Sequence, residues 1–301
     1  MLNAMTVDLE DWAQAVLGPG HPITPHVADN VRRVLDLLDK AGVKATFFAL
    51  GKVCEAYPSL LPAVADAGHE IASHGYGHEL LHHLTPERFE RDVGRSIELI
   101  EAQTGRRPTG YRAPAFSITS QTLWAPPILA SLGFRYSSSV FPIRGRRYGL
   151  PRAPREPFRW PGCGLVEFPM ATFRLFGRTW PACGGGYTRL WPGRVMEWAI
   201  AQRNARNAPV VVYLHPYELA AGEVRSFRRM GVPVTRRKAL AQELFRARVP
   251  DRLRRLLGSF RFGTLSDALA ETAALRTPVA EAADEPPPYG RHRWTPQALN
   301  P

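Results

Sequence analysis

The sequence predicts an α/β fold, a distorted (β/α) barrel with long loop insertions and a basic helical extension at its C-terminal end. Short apolar runs alternate with segments of helical periodicity, which favours a parallel sheet wrapped by helices. Polar clusters follow four of the predicted strands, and β/α barrels build their active sites at the C-terminal ends of strands. The 301 residues are enough for one large domain, or for one domain with an appendage.

The predicted elements follow one another in a regular order. The strands cover residues 2–7, 45–50, 70–73, 109–111, 134–137 and 210–214. The helices cover residues 29–40, 60–67, 85–104 and 128–132. Thr85 and Pro86 are typical of the start of the third predicted helix. Gly42 and Gly68 are typical of the ends of the first and second. Residues 139–186 are rich in Pro, Gly and Arg, so we expect long loops with short strands there.

Three regions are predicted. Residues 1–222 form a domain that carries all four polar clusters. Residues 223–276 form a basic C-terminal extension packed on that domain, and residues 277–301 form a flexible tail with few large apolar side chains.

The formal charge of +12 and the pI near 10.2 favour acidic partners. The excess positive charge is concentrated between Arg225 and Arg261. This segment contains twelve Lys or Arg residues and only two acidic residues, Glu243 and Asp251. This segment is either a solvated helical face or a surface for an anionic polymer or anionic membrane head groups. Amphipathic helices there would bury five leucines and leave the arginines outward; these are Leu240, Leu244, Leu253, Leu256 and Leu257. Nucleic acid is an unlikely partner class, since no recognition motif accompanies the charge.

The three cysteines form no CxxC pair, which fits a reducing compartment. No stretch is apolar enough to span a membrane, and polar sequence begins by Asp8, so we expect no secretory signal. The sequence therefore predicts a cytoplasmic protein, with a peripheral position on the inner face of the membrane as a further expectation.

Two histidines and an acidic strand end indicate a metal site. His74 and His78 are four residues apart, so two imidazoles can converge on one ion, although surface histidines also show this spacing. Two imidazoles and one carboxylate leave an open position for water, as in hydrolytic zinc sites. The acidic residues 8, 10 and 11 can supply that carboxylate and a base, or alternatively only a helix cap or a solvated turn.

Arg112 and His215 complete the set of candidate catalytic residues. Arg112 can pair with the base and keep it ionised, or form an ordinary surface salt bridge. His215 can act as the general acid toward a leaving amine, or be a core histidine at a strand end.

Four segments together resemble the polysaccharide deacetylases of the NodB-homology type, carbohydrate esterase family 4. They are TVDLEDW at residues 6–12, SHGYGH at 73–78, GYRAPAFS at 110–117 and YLHP at 213–216. More narrowly, the chain resembles the subgroup found with PEP-CTERM/exosortase exopolysaccharide loci. That likeness rests on SSVFPI at 138–143, EFPM at 167–170, GGGY at 184–187 and FRFGTL at 260–265.

The resemblance implies a barrel-like fold, a divalent metal that is usually zinc, and hydrolysis of N-acetyl groups on amino sugars. It implies Asp8 as the base, Arg112 as the partner of the base, and His215 as the acid. It also implies His74 and His78 as metal ligands. Family members often have adjacent aspartates in the first motif, but here Leu9 follows Asp8, so the third ligand is Glu10, with Asp11 as the alternative. The family's aspartate that orients the acid histidine has no counterpart in residues 136–139.

Six further residues are candidates for substrate binding, with core packing as the alternative for each: Trp12, Tyr111, Pro114, Phe116, Tyr187 and Leu214. A backbone N–H near Tyr111 or Ala113 would stabilise the oxyanion. The expected substrate is an N-acetylated polysaccharide or a lipid-linked oligosaccharide in exopolysaccharide biosynthesis. Two alternatives remain: the same fold acting on another amide, such as a formylated lipid-linked sugar or a small ureide, and an inactive sugar-binding protein.

Overall fold

A computed structural model of the chain describes residues 1–145 and 148–275. The predicted flexible tail, residues 277–301, lies outside the described residues. Within them, no helix is both long and apolar enough to cross a bilayer.

A curled nine-stranded sheet forms the centre of the molecule. The sheet strands are β1 (Asn3–Leu9), β2 (Thr46–Ala49), β3 (Glu70–Ser73), β4 (Gly110–Tyr111), β5 (Tyr136–Ser137), β6 (Phe158–Arg159), β7 (Val166–Glu167), β10 (Val211–Leu214) and β11 (Phe262–Gly263). Their order is β10-β1-β2-β3-β4-β5-β7-β6, with β11 beside β1, and all pairs are parallel except β6 with β7. A separate antiparallel hairpin consists of β8 (Thr172–Leu175) and β9 (Arg178–Pro181). The predicted barrel-like α/β fold is confirmed as a curled half-barrel.

Helices pack around the sheet, and the last of them contributes Leu265 and Ala268 to the cluster inside the half-barrel. They are α1 (His26–Lys40), α2 (Gly51–Ala56), α3 (Leu60–Asp66), α4 (Pro86–Thr104), α5 (Ala125–Ser131), α6 (Gly186–Leu190), α7 (Gly193–Asn204), α8 (Glu223–Arg229), α9 (Arg236–Glu243), α10 (Val249–Ser259) and α11 (Leu265–Leu275). The longest, α4, begins and ends as its sequence predicts. Thr85 Oγ1 accepts a hydrogen bond from the Arg88 N–H at 3.3 Å, and Gly105 ends the helix in the left-handed conformation.

Strand β1 is buried along its whole length and contributes to two different cores. Met5, Val7 and Leu9 pack into the apolar cluster beneath the surrounding helices. Ala4, on the opposite face, packs with side chains of neighbouring strands inside the half-barrel. Because side chains alternate along a strand, Asp8 shares the inner face with Ala4. The sequence thus carries a carboxylate into the interior of the sheet.

The C-terminal segment is joined to the sheet, since β11 pairs with β1 at Asn3 and Ala4. The leucines of α10 are buried as predicted, namely Leu253, Leu256 and Leu257. The prediction is wrong for Leu240 and Leu244, which are 72% and 43% exposed. It is also wrong that all the arginines point outward. Arg246 is buried because its guanidinium donates to the backbone carbonyls of Gln242 and Tyr217 at 3.1 and 3.3 Å.

Glu223, the first residue of α8, is a buried carboxyl against α1. Its Oε1 accepts a hydrogen bond from Asn30 at 2.6 Å, whereas its buried Oε2 has no hydrogen-bond partner in the described part of the chain. Burial raises the pKa of Glu223 from an ordinary 4.5 to about 7. The folded protein therefore binds a proton here that the unfolded chain releases near pH 4.5.

We expect Glu223→Gln to stabilise the protein above pH 7. Protonation of Glu223 contributes to the free energy of unfolding. This contribution is fully present below about pH 4.5 and is lost as the pH rises through about 7. Glutamine resembles the protonated acid, so the gain at pH 8 should reach up to about 3 kcal/mol and shrink toward pH 5. Urea unfolding at both pH values measures it, and the exposed Glu98→Gln is the control. An equal effect of Glu223→Gln at pH 5 and pH 8 would contradict the assignment.

Candidate active site

The four polar clusters lie at the same edge of the sheet. Glu10 follows β1, His74 follows β3, Arg112 follows β4 and His215 follows β10. These strands belong to one parallel array, so their C-terminal ends meet. The sequence prediction that these clusters form one site agrees with their positions.

Glu10, His74 and His78 form a cluster of metal-ligand type. One donor atom from each residue lies within 4.8 Å of the others. Glu10 Oε2 is 2.7 Å from Nε2 of His78 and 3.6 Å from Nε2 of His74. This Oε2 is buried and accepts no hydrogen bond of normal geometry from the described residues. Since a buried carboxylate oxygen needs a partner, and two imidazole nitrogens face the same point, the residues fit a divalent metal.

A hydrogen bond to the backbone orients the His74 imidazole for metal binding. Its Nδ1 lies 2.7 Å from the carbonyl oxygen of Arg112, which accepts a hydrogen bond from an Nδ1–H. This contact favours the tautomer that leaves the Nε2 lone pair free to bind a metal.

A tight loop brings His78 back toward His74. Asp92 of α4 accepts the backbone N–H groups of Tyr76 and Gly77 at 2.7 and 3.0 Å. Gly75 has a φ of +74°, and a Cβ there would lie 2.8 Å from the Asp92 carboxylate, so glycine is required. His78 itself has a φ of +60°, a conformation that only the surrounding contacts stabilise.

Asp11, the alternative third ligand, is held elsewhere. Its two oxygens accept hydrogen bonds from the backbone N–H and the hydroxyl of Thr24, at 2.9 and 3.1 Å. Burial raises its pKa to about 6. The converging donor set contains Glu10 and not Asp11.

Asp8 and Arg112 form a buried ion pair inside the half-barrel. Nη1 of Arg112 donates to Asp8 Oδ1 at 2.6 Å and to Thr6 Oγ1 at 2.9 Å. The rest of the guanidinium donates to the carbonyl and hydroxyl oxygens of Ser138, and its plane covers the ring of Phe48 at 4.0 Å. Arg112 is therefore held by several hydrogen bonds, and Oδ2 of Asp8 lies toward His215, 3.8 Å from its Nε2.

A buried glutamate supports the segment that holds Arg112. Oε1 of Glu167 accepts the backbone N–H groups of Ser139 and Val140 at 2.7 and 2.8 Å. Ser139 in turn accepts the N–H of Ala113 at 2.9 Å. That N–H, one candidate for the oxyanion contact, is thus already engaged within the protein.

His215 lies between the two carboxylates and a third one. Its Nε2 is 3.3 Å from Glu10 Oε1 and 3.8 Å from Asp8 Oδ2. On the other side, Nδ1 is 3.6 Å from Glu218 Oε1, and the backbone N–H of His215 donates to Glu218 Oε2 at 3.2 Å. The ring of Tyr217 stacks on the imidazole at 4.9 Å.

Glu218 is the residue that sequence reasoning missed. The family resemblance indicates residues 136–139 as the source of the partner of His215, and these residues contain no aspartate. The signal lies three residues after the histidine, in the sequence His-Pro-Tyr-Glu. Pro216 begins a single helical turn that brings a side chain at this spacing back to the imidazole.

The charges in the site act on one another strongly. Burial alone would raise the pKa of Glu10, but the charges of His78 and His215 lower it well below its usual range. Burial would likewise lower the pKa of His215, but the carboxylates of Glu10, Glu218 and Asp8 raise it to about 9. In this field His215 carries a proton at neutral pH.

The candidate substrate-binding residues lie mostly in cores. Trp12 has no exposed surface and stacks on Phe227 at 4.8 Å, so its ring offers no face to a sugar. Tyr111 packs edge-on against Phe89 and Phe134. Buried side chains also include Pro114, Phe116 and Leu214. Tyr187 is half-buried, and its hydroxyl lies 3.0 Å from that of Tyr148.

Parts of this chain are similar to known proteins. Residues 18–137, which include His74, His78 and Arg112, match the polysaccharide deacetylase family model. This part of the chain is therefore similar to polysaccharide deacetylases. Residues 138–270 match a second model, described as a domain of unknown function, DUF3473. His215, Glu218 and the Ser138 contact to Arg112 come from the second matched segment, whereas Asp8 and Glu10 precede the first.

Individual proteins are similar to part of this chain in sequence, or to the whole chain in fold. Peptidoglycan deacetylase of Helicobacter pylori is 36% identical over 110 residues, which are 36% of each protein. Peptidoglycan deacetylase-like protein FGM2 of Gibberella zeae is 38% identical over 112 residues, which are 36% of this chain and 32% of FGM2. The matches thus span about a third of the length of these curated relatives. A crystal structure from Mycobacterium smegmatis, designated a polysaccharide deacetylase, has the same fold, with a TM-score of 0.58, 23% identity and 94% coverage of each chain.

Proposed function

We propose that this protein is a metal-dependent hydrolase that removes N-acetyl groups from the amino sugars of a polysaccharide. One observation carries the proposal. The metal-ligand cluster of Glu10, His74 and His78 lies directly beside a buried Asp8–Arg112 pair and beside His215. Hydrolysis of an amide needs an activated water, a base and an acid for the leaving amine, and these groups can supply all three.

The donor set suits zinc, which binds imidazole nitrogen and carboxylate oxygen and keeps a position open in hydrolytic sites. When bound by Glu10, His74 and His78, such an ion would polarise the acyl carbonyl and lower the pKa of the attacking water. The remaining chemistry belongs to residues of the chain.

Asp8 is positioned to take a proton from water. Arg112 occupies Oδ1 and leaves Oδ2 as the proton acceptor. As that proton moves to Oδ2, the water oxygen bonds to the carbonyl carbon of the acetamide.

His215 is positioned to return a proton to the other side of the reaction. Its Nε2 faces the cluster, while Glu218 faces Nδ1 and favours the protonated ring. When the carbon–nitrogen bond breaks, the Nε2 proton passes to the amine nitrogen. Acetate and a free amino sugar are then the products.

The substrate class is suggested by two similar proteins, one named a peptidoglycan deacetylase and the other a peptidoglycan deacetylase-like protein. We propose an N-acetylated polysaccharide or lipid-linked oligosaccharide as the substrate, and a role in exopolysaccharide biosynthesis. The likeness of residues 138–143, 167–170, 184–187 and 260–265 to the exopolysaccharide subgroup supports this role. A cytoplasmic location and an anionic membrane surface as a partner remain predictions.

Acetate release decides the function. Purified protein would be treated with chelator, reloaded with zinc, and assayed on N-acetylated oligosaccharides and lipid-linked sugars. We expect acetate only from the reloaded protein. Release of formate or ammonia from formylated sugars or ureides in its place would favour another amide as the substrate. Sugar binding without turnover would identify an inactive binding protein.

We expect Glu218→Gln to lower kcat by about 10- to 100-fold with little change in KM, because the variant loses the charge that orients and stabilises protonated His215. Zinc content should stay at the wild-type level. Steady-state kinetics together with metal analysis measure both effects. Glu79→Gln, a half-buried glutamate paired only with Arg88 in the contacts described, is the control. Unchanged kcat in Glu218→Gln would remove Glu218 from the mechanism.

A further inference from the structure

The hairpin of β8 and β9 carries an unusually exposed apolar tip. Phe176 occupies the turn, is 91% exposed and has a φ of +50°. Beside it, Leu175 and Trp180 are 41% and 36% exposed. The hairpin sequence, residues 172–181, contains two arginines and no acidic residue. Exposed apolar side chains that lie together, as these three do, mark interaction sites more often than a single exposed one does.

Beneath the hairpin, between β8 and α7, lies a cavity of about 320 Å³. Four arginines line it together with Trp198, namely Arg155, Arg174, Arg203 and Arg206. This site lies outside the proposed catalytic machinery and shares no residue with it.

Hydrogen bonds within the protein hold two of the four arginine side chains in place. Arg155 donates from Nε to the hydroxyl of Thr172 at 2.8 Å and from Nη2 to the carbonyl of the same residue. Arg203, only 7% exposed, donates to the carbonyl of Arg155 at 2.8 Å. Rigid guanidinium groups are suited to bidentate contacts with phosphate oxygens.

The positive charge of the cavity is poorly compensated. Glu156, whose side chain is 52% exposed, lies 3.6 Å from Arg203. Burial, together with the charges of Arg203, Arg174 and Arg206, lowers the pKa of Arg155. Four cations with one exposed carboxylate favour an anionic ligand.

We propose that this arginine cavity binds the phosphate head group of an anionic lipid while Phe176 and its neighbours enter the interfacial layer of the membrane. A free phosphate would explain the arginines but not the apolar tip beside them. A convex two-residue turn is too small for a stable protein interface, which needs about 800 Å² from each partner. Aromatic and leucine side chains flanked by arginine are typical of segments that lie in a membrane interface.

Vesicle co-sedimentation tests the proposal on the full chain, with phosphatidylcholine vesicles prepared with and without phosphatidylglycerol. We expect binding only to the anionic vesicles. Arg174→Gln/Arg206→Gln should weaken it by about 10-fold or more. Arg236→Gln/Arg237→Gln removes the same charge from exposed positions on α9 and should weaken it clearly less. Phe176→Ser, which keeps every charge, should weaken it by about 10-fold.

Inorganic phosphate, titrated by calorimetry, separates the two sources of the anion. Phosphate binding without vesicle binding would overturn the lipid assignment. An equal loss in both arginine pairs would show diffuse attraction instead of a site, and an unchanged Phe176→Ser would exclude insertion of the tip. Acetate release from a soluble oligosaccharide should be unaffected by all three variants. Failure of this proposal is therefore distinguishable from failure of the proposed deacetylase activity.

Discussion

Asp8→Asn is expected to remove most acetate release while leaving metal binding nearly intact. Asn keeps an oxygen that can accept the 2.6 Å hydrogen bond from Arg112, so the buried guanidinium retains a partner. It cannot take a proton from water. Because a positioned base contributes roughly 10²–10⁴-fold, kcat should fall by that factor. Steady-state acetate release and the zinc content of the same preparation measure the two effects.

A nearby acidic residue, Asp11, provides a matched control. Asp11→Asn removes a carboxylate three positions further along the chain, and asparagine can preserve both contacts to Thr24. We expect kcat and zinc content close to wild type. If Asp11→Asn abolished activity and Asp8→Asn did not, the base would have to be reassigned.

Much of the site was predictable because it depends on local sequence and on one topological rule. Glu10, His74, Arg112 and His215 each directly follow a strand, and parallel strands bring their C-terminal ends together. Alternation along β1 further separates Asp8, which faces the interior, from Leu9, which packs beneath the helices. The choice of Glu10 over Asp11 agrees with the converging donors, although spacing alone left both open.

What the sequence could not indicate depends on residues far away along the chain. Trp12 appeared as a stacking wall, but Phe227 of α8 covers its ring. Leu240 has the spacing of a buried helix face, yet α9 presents it to solvent. Burial of an aromatic or a leucine is decided by tertiary packing, which periodicity does not encode. Helix α7 was likewise missed, because loop-rich sequence precedes it and its apolar periodicity is weak.

Glu218 illustrates a different limit. Its contact with His215 is local, only three residues apart, and was within reach of sequence reasoning. The family pattern directed attention to a distant aspartate instead. A carboxylate supplied from the neighbouring turn can serve the same electrostatic purpose, since only its position relative to Nδ1 matters.

Loss of any one metal ligand is expected to have the largest effect on the protein. Three variants test this, and each removes one donor from the cluster of three: His78→Ala, His74→Ala and Glu10→Gln. Losing a residue that only supports a ligand lowers metal affinity by up to about 100-fold, so losing a ligand itself should lower zinc affinity by more than that. Acetate release at limiting zinc should fall with it. Calorimetric titration of chelator-treated protein measures the affinity directly.

Thermal unfolding gives a readout independent of turnover. A ligand that binds only the folded state stabilises it by about 2.7 kcal/mol at a concentration 100 times its Kd, so zinc should raise the Tm of the wild type. It should raise the Tm of the three variants far less. His83→Ala, an exposed histidine in the turn after the site, is the matched control and should respond like the wild type. An equal zinc response in His78→Ala and wild type would show that the ion binds elsewhere, and the assignment of Glu10, His74 and His78 as its ligands would then be wrong.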